Sequence, residues 1–125
     1  MTNTNQRSGD SFIDFAELLE RVDNDRELLL DLMSIFKEDF PRHVRELSDV
    51  VAARDIKKMT VVSHTLKGML ANLAVTRATS AAAKLEQLGR EGGAESEIAE
   101  AHRAFQREVQ GLLPAMEAYM AEVQR

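Results

Sequence analysis

The chain has 125 residues, of which 44% are hydrophobic, and a formal net charge of −5 from 21 acidic and 16 basic residues. A chain of this length fits one domain and can bury well over half of the surface that it exposes when unfolded. The acidic balance argues against a nucleic-acid partner, because phosphate-backbone binders gather Lys and Arg on one face. The chain lacks cysteine, which excludes disulfides and thiolate metal sites, and no apolar stretch approaches the roughly 20 residues that span a bilayer. We therefore expect a cytoplasmic domain that contacts neither membrane nor nucleic acid.

Good helix formers dominate the composition, and two prolines and six glycines leave little of the turn punctuation that an all-β chain needs. The predicted fold class is therefore all-α. Residues 1–9 are polar throughout and predict a disordered tail, which leaves a helical domain at residues 10–125. Asp10 or Ser11 is the predicted cap of a short first helix. The inward positions of that helix are Ile13, Phe15, Leu18, Leu19 and Val22.

A long second helix is predicted after the break at residues 23–25, where Asp23, Asn24 and Asp25 are N-cap candidates. Pro41 lies inside this helix and predicts either a kink or two abutting helices. Apolar residues recur at intervals of three and four and form one continuous stripe. The stripe consists of Leu29, Leu32, Phe36, Phe40, Val44, Leu47 and Val51.

Three further helices are predicted from caps, breakers and apolar spacing. They run from Ile56 to about Val75, from Thr76 to the Gly92–Gly93 pair, and from about Ala94 to Val123. Asp55 is the predicted cap of the first of these, and Pro114 interrupts the last. Their inward positions are Ile56, Met59, Val62, Leu66, Met69, Leu70 and Leu73, then Ala78, Ala81, Ala82, Leu85 and Leu88, then Ile98, Phe105, Val109, Leu112, Met116 and Met120. Short connections favour antiparallel neighbours, so we predict an up-down antiparallel four-helix bundle with a short additional N-terminal helix.

One histidine on the third predicted helix lies opposite its apolar side. At about 100° per residue, Leu66 and Leu73 fall near the opposite pole from His64. His64 therefore points away from the predicted core. The same outer face carries Lys57, Thr60, Val61, Lys67, Gly68, Ala71 and Val75.

Two neighbours distinguish His64 from an ordinary surface histidine. A glycine inside a helix costs roughly 0.5–1 kcal/mol relative to alanine, and Gly68 at i+4 leaves room for a partner to approach the ring. The ammonium of Lys67 at i+3 disfavours the imidazolium and would stabilise an attached phosphoryl group. His43 and His102 lack this Lys–Gly pair, so we interpret both as ordinary histidines.

The segment SHTLKG at residues 63–68, followed by ANL at residues 71–73, resembles the signature of the histidine-containing phosphotransfer (HPt) domain family. In that family an HxxKG sequence on a bundle helix carries the phosphorylated histidine. The resemblance covers about residues 12 to 120 and includes the Phe40–Pro41 step and Leu85–Glu86 on the Ala-rich fourth helix. The chain departs from the pattern at Ala74, where a glycine is common.

The resemblance implies that His64 is a phosphorylated nucleophile, whose Nε2 takes a phosphoryl group from a receiver-domain aspartate and passes it to another receiver. It also implies that Lys67 stabilises the phosphate, that Gly68 gives access, and that Glu86 orients the ring by accepting a hydrogen bond from Nδ1–H. The implied partners are response-regulator receiver domains and a hybrid histidine kinase. The chain would need no cofactor, because the receiver brings the Mg²⁺, and it would have no kinase activity of its own. We expect it to be a monomer.

The helical wheel alone predicts which other residues contact the partner. They are Val61, Thr65, Ala71 and Val75.

Two other interpretations remain open. The chain could be a helical scaffold or adaptor that binds a signalling partner without being phosphorylated, with Glu86 an exposed carboxylate. A metal or hydrolytic site is disfavoured, because the histidines at 43, 64 and 102 show no i, i+3 or i, i+4 pairing. The first methionine and the polar tail favour a free-standing protein over a domain of a hybrid kinase.

Overall fold

The computed structural model describes residues 13–123, and within them every regular element is an α-helix. The helices are α1 (Phe15–Arg21), α2 (Arg26–Ala52), α3 (Ile56–Asn72), α4 (Thr76–Glu91), α5 (Glu95–Val109) and α6 (Leu112–Val123). The all-α prediction is confirmed over this part of the chain. The predicted tail at residues 1–9 lies outside the described residues.

Aspartates cap the first three helices. The carboxylates of Asp14, Asp25 and Asp55 each accept a hydrogen bond from the backbone N–H three residues later, at 3.0 to 3.1 Å. These bonds satisfy one of the free N–H groups that every helix start exposes. Asp25 and Asp55 are the caps that the sequence predicts. For the first helix the sequence predicts Asp10 or Ser11, which lie outside the described residues, whereas the structure places the cap at Asp14.

Pro41 lies inside α2, which nevertheless continues from Arg26 to Ala52 as one helix of 27 residues. The prediction of two abutting helices is therefore wrong. Proline removes the amide that would bond to the carbonyl four residues earlier. The apolar stripe keeps its register across this position, because Phe40 and Leu47 are both buried, and packing of that stripe supports the helix on both sides of Pro41.

The C-terminal segment, predicted as one interrupted helix from Ala94 to Val123, forms two helices. The break lies at residues 110–111, between α5 and α6, and so precedes Pro114. Pro114 is the third residue of α6, in the first turn, where a helix makes no use of the missing N–H. The proline therefore allows α6 to start close before it and does not bend a longer helix.

The helices enclose one apolar core, in which α3 makes its largest contact with α4 and packs on α2 as well. α5 packs in turn on α4. Most predicted inward positions are buried, but Leu32 is 43% exposed and Ile56 is 37% exposed, so their prediction as inward residues is wrong. Met33, one residue after Leu32, is buried instead. The ring of Phe15 in α1 stacks on that of Tyr119 in α6, with centroids 4.1 Å apart.

The third helix ends earlier than predicted, at Asn72, because the chain turns sharply at Ala74. Ala74 has a φ of +56°, in the left-handed region, and the N–H of Val75 donates to the carbonyl of Leu70 at 3.2 Å. This is the kind of helix end that glycine adopts most readily. The turn carries the chain directly into α4.

Candidate functional site

His64 lies in the middle of α3 and faces outward, as the helical wheel predicts. Its side chain is 63% exposed, whereas Val62 and Leu66 on the opposite side of the helix are buried. One end of the ring is therefore free in solvent. The other end is held by a residue of the neighbouring helix.

That residue is Glu86 of α4, whose side chain is only 3% exposed. Its Oε2 atom lies 2.9 Å from His64 Nδ1. The interpretation of Glu86 as an exposed helical carboxylate is wrong, because the close contact between α3 and α4 buries it. A buried carboxylate is costly unless charges or donors compensate it, and three side chains do so here.

The three compensating groups are His64, Lys67 and Arg90. Lys67 Nζ lies 2.7 Å from Glu86 Oε1, and the Arg90 guanidinium pairs with Oε2, the oxygen that His64 also contacts. The hydrogen bond from Lys67 contributes most to holding the pKa of Glu86 below its usual value, against the opposing effect of burial. His64 and Arg90 lower it further. Glu86 is consequently an anion at neutral pH.

An anionic carboxylate at Nδ1 determines which ring nitrogen carries the proton. A carboxylate only accepts hydrogen bonds, so Nδ1 must be the protonated, donating nitrogen. In the neutral ring Nε2 then holds a lone pair, and it lies at the end of the ring away from Glu86. The geometry thus presents an unprotonated imidazole nitrogen, the form in which histidine acts as a nucleophile.

Gly68 lies one turn after His64, on the exposed side of α3. A Cβ atom added at this position would meet nothing within 4 Å. No internal contact of the described fold therefore requires a glycine here. Glycine in a helix costs roughly 0.5–1 kcal/mol, and packing does not offset that cost here. What the glycine provides is open space outside the helix, beside His64.

The four predicted partner-contacting residues do not all lie on the surface. Val61 is 61% exposed, and Thr65 and Ala71 are exposed as well. Val75 is fully buried, so its prediction as a contact residue is wrong. The wheel assumed that α3 continues to Val75, but the left-handed turn at Ala74 breaks the helical register and directs Val75 into the core.

Sequence reasoning missed Arg90 and an apolar stripe on α2. The spacing of Glu86 and Arg90 is i, i+4, which suits an ion pair on a helix and could have indicated the contact. Leu28, Leu32 and Ile35 are exposed large apolar side chains, spaced four and three residues apart on α2. They form the exposed stripe, which is distinct from the stripe that packs in the core. Leu32 and Ile35 line a groove together with Met69 and Asn72 of α3.

The remaining histidines lie in different surroundings. His43 Nδ1 is 3.8 Å from the carboxylate of Glu46. His102 Nε2 is 3.4 Å from Ser48 Oγ, and partial burial lowers the pKa of His102. Within residues 13–123, no three or more His, Cys, Asp and Glu side chains form a group that could hold a metal ion. The same residues contain no helix with the length and apolarity to cross a bilayer.

The fold and the site together define a helical bundle that presents a solvent-facing histidine fixed by a buried carboxylate. The model of one protein family, the Hpt domain, matches residues 31–125, which is more than half of the chain. The chain therefore belongs to the Hpt domain family, and the resemblance noted from the sequence is confirmed. Hpt domains are phosphotransfer modules of two-component signalling. Neither a curated protein nor a solved structure matches the chain.

Proposed function

We propose that this Hpt domain is a phosphorelay intermediate, which accepts a phosphoryl group on His64 Nε2 from a receiver-domain aspartate and passes it to another receiver. The observation that carries the proposal is the hydrogen bond from His64 Nδ1 to Glu86, 2.9 Å long. In the neutral ring it leaves the lone pair on Nε2, at the exposed end of the ring, which is the arrangement that nucleophilic transfer needs.

The transfer of the phosphoryl group needs no reactant other than this chain and the phosphorylated receiver. The Nε2 lone pair attacks phosphorus, the N–P bond forms, and the P–O bond to the receiver aspartate breaks with its electron pair leaving on the carboxylate. The proton stays on Nδ1, and the positive charge that develops on the ring is stabilised by the Glu86 carboxylate. The reverse reaction delivers the phosphoryl group to a second receiver. In this scheme the receiver contributes the Mg²⁺, and the chain is a carrier without kinase activity of its own.

Lys67 and Arg90 have two roles in the proposal. Both pair with Glu86 in the described, unphosphorylated state, where they offset its buried charge. Arg90 also lines a shallow depression beside His64, together with Thr60, Val61 and Thr65. We propose that both cations turn toward a phosphoryl group on Nε2 and stabilise the phosphorylated form.

The receiver would dock on the exposed face around His64. Val61, Thr65 and Ala71 lie on that face, and Gly68 leaves space beside the ring. The apolar side chains of Leu32 and Ile35 extend the surface across the groove to α2. An exposed apolar patch that borders the helix carrying His64 suits a protein partner better than a small phosphate donor.

The remaining expectations belong to the same proposal. We infer an up-down antiparallel bundle of α2 to α5 with α1 added at the N-terminal end, because successive helices pack on one another and connections are short. We also propose a monomer in the cytoplasm, with a hybrid histidine kinase among its partners.

The decisive test is phosphotransfer from receiver domains. The chain would be incubated with each phosphorylated receiver of the source organism, and acid-labile, alkali-stable phosphate would be located by mass spectrometry. We expect phosphate on His64 alone, and none on the His64→Gln variant, in which His43 and His102 are retained. Absence of transfer from every receiver would leave a non-phosphorylated helical scaffold as the function.

A further inference from the structure

Gly89 lies on α4 between Glu86 and Arg90 and faces α3. A Cβ atom added at Gly89 would lie 2.0 Å from Thr60 Oγ1, 3.2 Å from Thr60 Cβ and 3.3 Å from Met59 Cε. Real Cβ atoms essentially never approach other heavy atoms closer than 3.0 Å. Any residue larger than glycine therefore requires either the Thr60 side chain or one of the two helices to move. Gly68, with nothing within 4 Å of an added Cβ, lacks this constraint.

Thr60 has little freedom to make room. Its hydroxyl donates a hydrogen bond to the carbonyl of Ile56 at 2.9 Å, and a β-branched side chain in a helix has few χ1 rotamers. Rotation of the side chain would leave Thr60 Cβ in place. Its distance of 3.2 Å from the added atom is shorter than an ordinary van der Waals contact. The contact is therefore between two nearly fixed groups, one on each helix.

This contact lies beside the functional pair. Thr60 precedes His64 by one turn of α3, and Gly89 follows Glu86 by about one turn of α4. While the Thr60 hydroxyl keeps its hydrogen bond to the carbonyl of Ile56, a separation of roughly 1 Å between α3 and α4 is needed to relieve the clash at Gly89. Because hydrogen bonds of this kind occur between about 2.7 and 3.2 Å, the 2.9 Å contact from His64 Nδ1 to Glu86 would not survive such a shift.

We infer that Gly89 and Thr60 form a spacing contact, which sets the distance between α3 and α4 so that Glu86 reaches His64 Nδ1. Both are positioning residues, since neither bonds to the histidine or to the phosphoryl donor. The consequence for phosphotransfer rests on the function proposed above. The consequence for the tautomer of His64 is independent of that function, because the spacing contact determines the tautomer in the isolated protein.

The test compares wild type with Gly89→Ala and with the size-compensated double variant Gly89→Ala/Thr60→Ala. The double variant removes the 2.0 Å contact, since it lacks the hydroxyl, and leaves the contacts of 3.2 Å to residue 60 Cβ and 3.3 Å to Met59 Cε, which shifts of a few tenths of an ångström relieve. Chemical shifts of ¹⁵N-labelled histidine, followed over a series of pH values up to mildly alkaline solution, would report the tautomer of the neutral ring. Gly68→Ala is the matched control for the spectrum, because it adds the same methyl group to α3 in open space.

We expect Gly89→Ala to lose the Nδ1-protonated signature of His64 and to accept phosphate about tenfold more slowly, the factor for a lost charge-assisted hydrogen bond. The double variant should recover the Nδ1-protonated signature and the wild-type rate of phosphate acceptance, and Gly68→Ala should keep the wild-type spectrum. A folded Gly89→Ala with the wild-type tautomer contradicts the inference. If Gly89→Ala does not fold, the double variant decides: a native His64 spectrum supports the spacing contact, and an unfolded or altered protein overturns it.

The two proposals fail separately. If the tautomer changes as expected but no receiver phosphorylates the wild type, the spacing contact stands and the phosphorelay function is wrong. If the wild type is phosphorylated and Gly89→Ala keeps both its tautomer and its rate, the spacing inference alone is wrong.

Discussion

The side chain of Glu86 shows what a sequence reveals of a single residue and what it hides. The outward direction of His64 followed from helix periodicity, and the partnership with Glu86 followed from the family resemblance. Neither indicated that Glu86 is buried or that Arg90 shares its Oε2 atom with the histidine. Burial depends on how closely α3 and α4 approach, and that distance is a tertiary property absent from the spacing of residues along one helix.

The lowered pKa of Glu86 makes a prediction about stability. An acid whose pKa is lower in the folded state stabilises the fold above its unfolded pKa, and the stabilisation is lost as the pH falls through the folded pKa. The ordinary value for this carboxyl is 4.5. We expect wild type to lose free energy of unfolding relative to Glu86→Gln as the solution is acidified below that value, measured by urea unfolding at a series of pH values.

The variant Glu38→Gln, which removes an exposed carboxylate from α2, supplies the background pH dependence. A difference between wild type and Glu86→Gln that stays constant or widens in favour of wild type on acidification would contradict the sign of the predicted pKa change.

Gly68 makes a second prediction at the scale of one residue. Gly68→Gln should raise the free energy of unfolding by roughly 0.5–1 kcal/mol, because glutamine is a better helix former and the space around the position is open. The same variant should block transfer from a receiver, because the new side chain extends back toward His64. Urea unfolding and a transfer assay measure the two effects. Equal transfer rates in wild type and variant would remove the steric argument.

At the scale of elements, two of the aspartate caps and the glycine end of α4 were predicted correctly, whereas the effects of the two prolines and the end of α3 were not. Asp25, Asp55 and Gly92 end or begin helices where their chemistry predicts. The end of α3 was misplaced because Ala74 adopts a positive φ that alanine disfavours. Only packing of the turn against the core makes that conformation favourable, and no local signal in the sequence reports it.

The strained turn predicts that Ala74→Gly stabilises the fold. The left-handed conformation costs alanine about 1–2 kcal/mol, which the substitution removes. The greater conformational freedom of glycine in the unfolded chain lowers the free energy of unfolding by about 0.4–1 kcal/mol, which offsets part of this gain. We expect a net gain of about 0.5–1 kcal/mol in the free energy of unfolding. Ala118→Gly, in the interior of α6 and exposed, should show the opposite sign. Two losses of similar size would show that the Ala74 conformation carries no strain.

For the whole molecule, composition and periodicity were enough to predict a single all-helical core. They could not predict which apolar residues stay outside it. Periodicity left Leu28 and Ile35 outside the predicted stripe but placed Leu32 in the core, and all three are exposed on α2. Their exposure depends on where the neighbouring helices end, which is settled only when all the helices are assembled.

The exposed stripe predicts a variant that separates binding from folding. Ile35→Glu should leave the free energy of unfolding nearly unchanged, because the side chain is already 58% exposed. It should raise the receiver concentration needed for half-maximal transfer by about tenfold, the effect of losing one buried apolar anchor. Ala118→Glu adds the same charge on α6 and controls for net charge. Similar half-maximal concentrations for Ile35→Glu and wild type would place the receiver elsewhere.

The carboxylate that His64, Lys67 and Arg90 share makes their contributions interdependent. When one of these three side chains is removed, the other two compensate more of the buried negative charge, so each single substitution measures a rearranged cluster. The free-energy effects of the three should not add, and a double-mutant cycle between Lys67→Ala and Arg90→Ala would give their coupling directly. The compensation of the buried charge is therefore a property of the cluster as a whole, and no single substitution measures the contribution of one side chain to it.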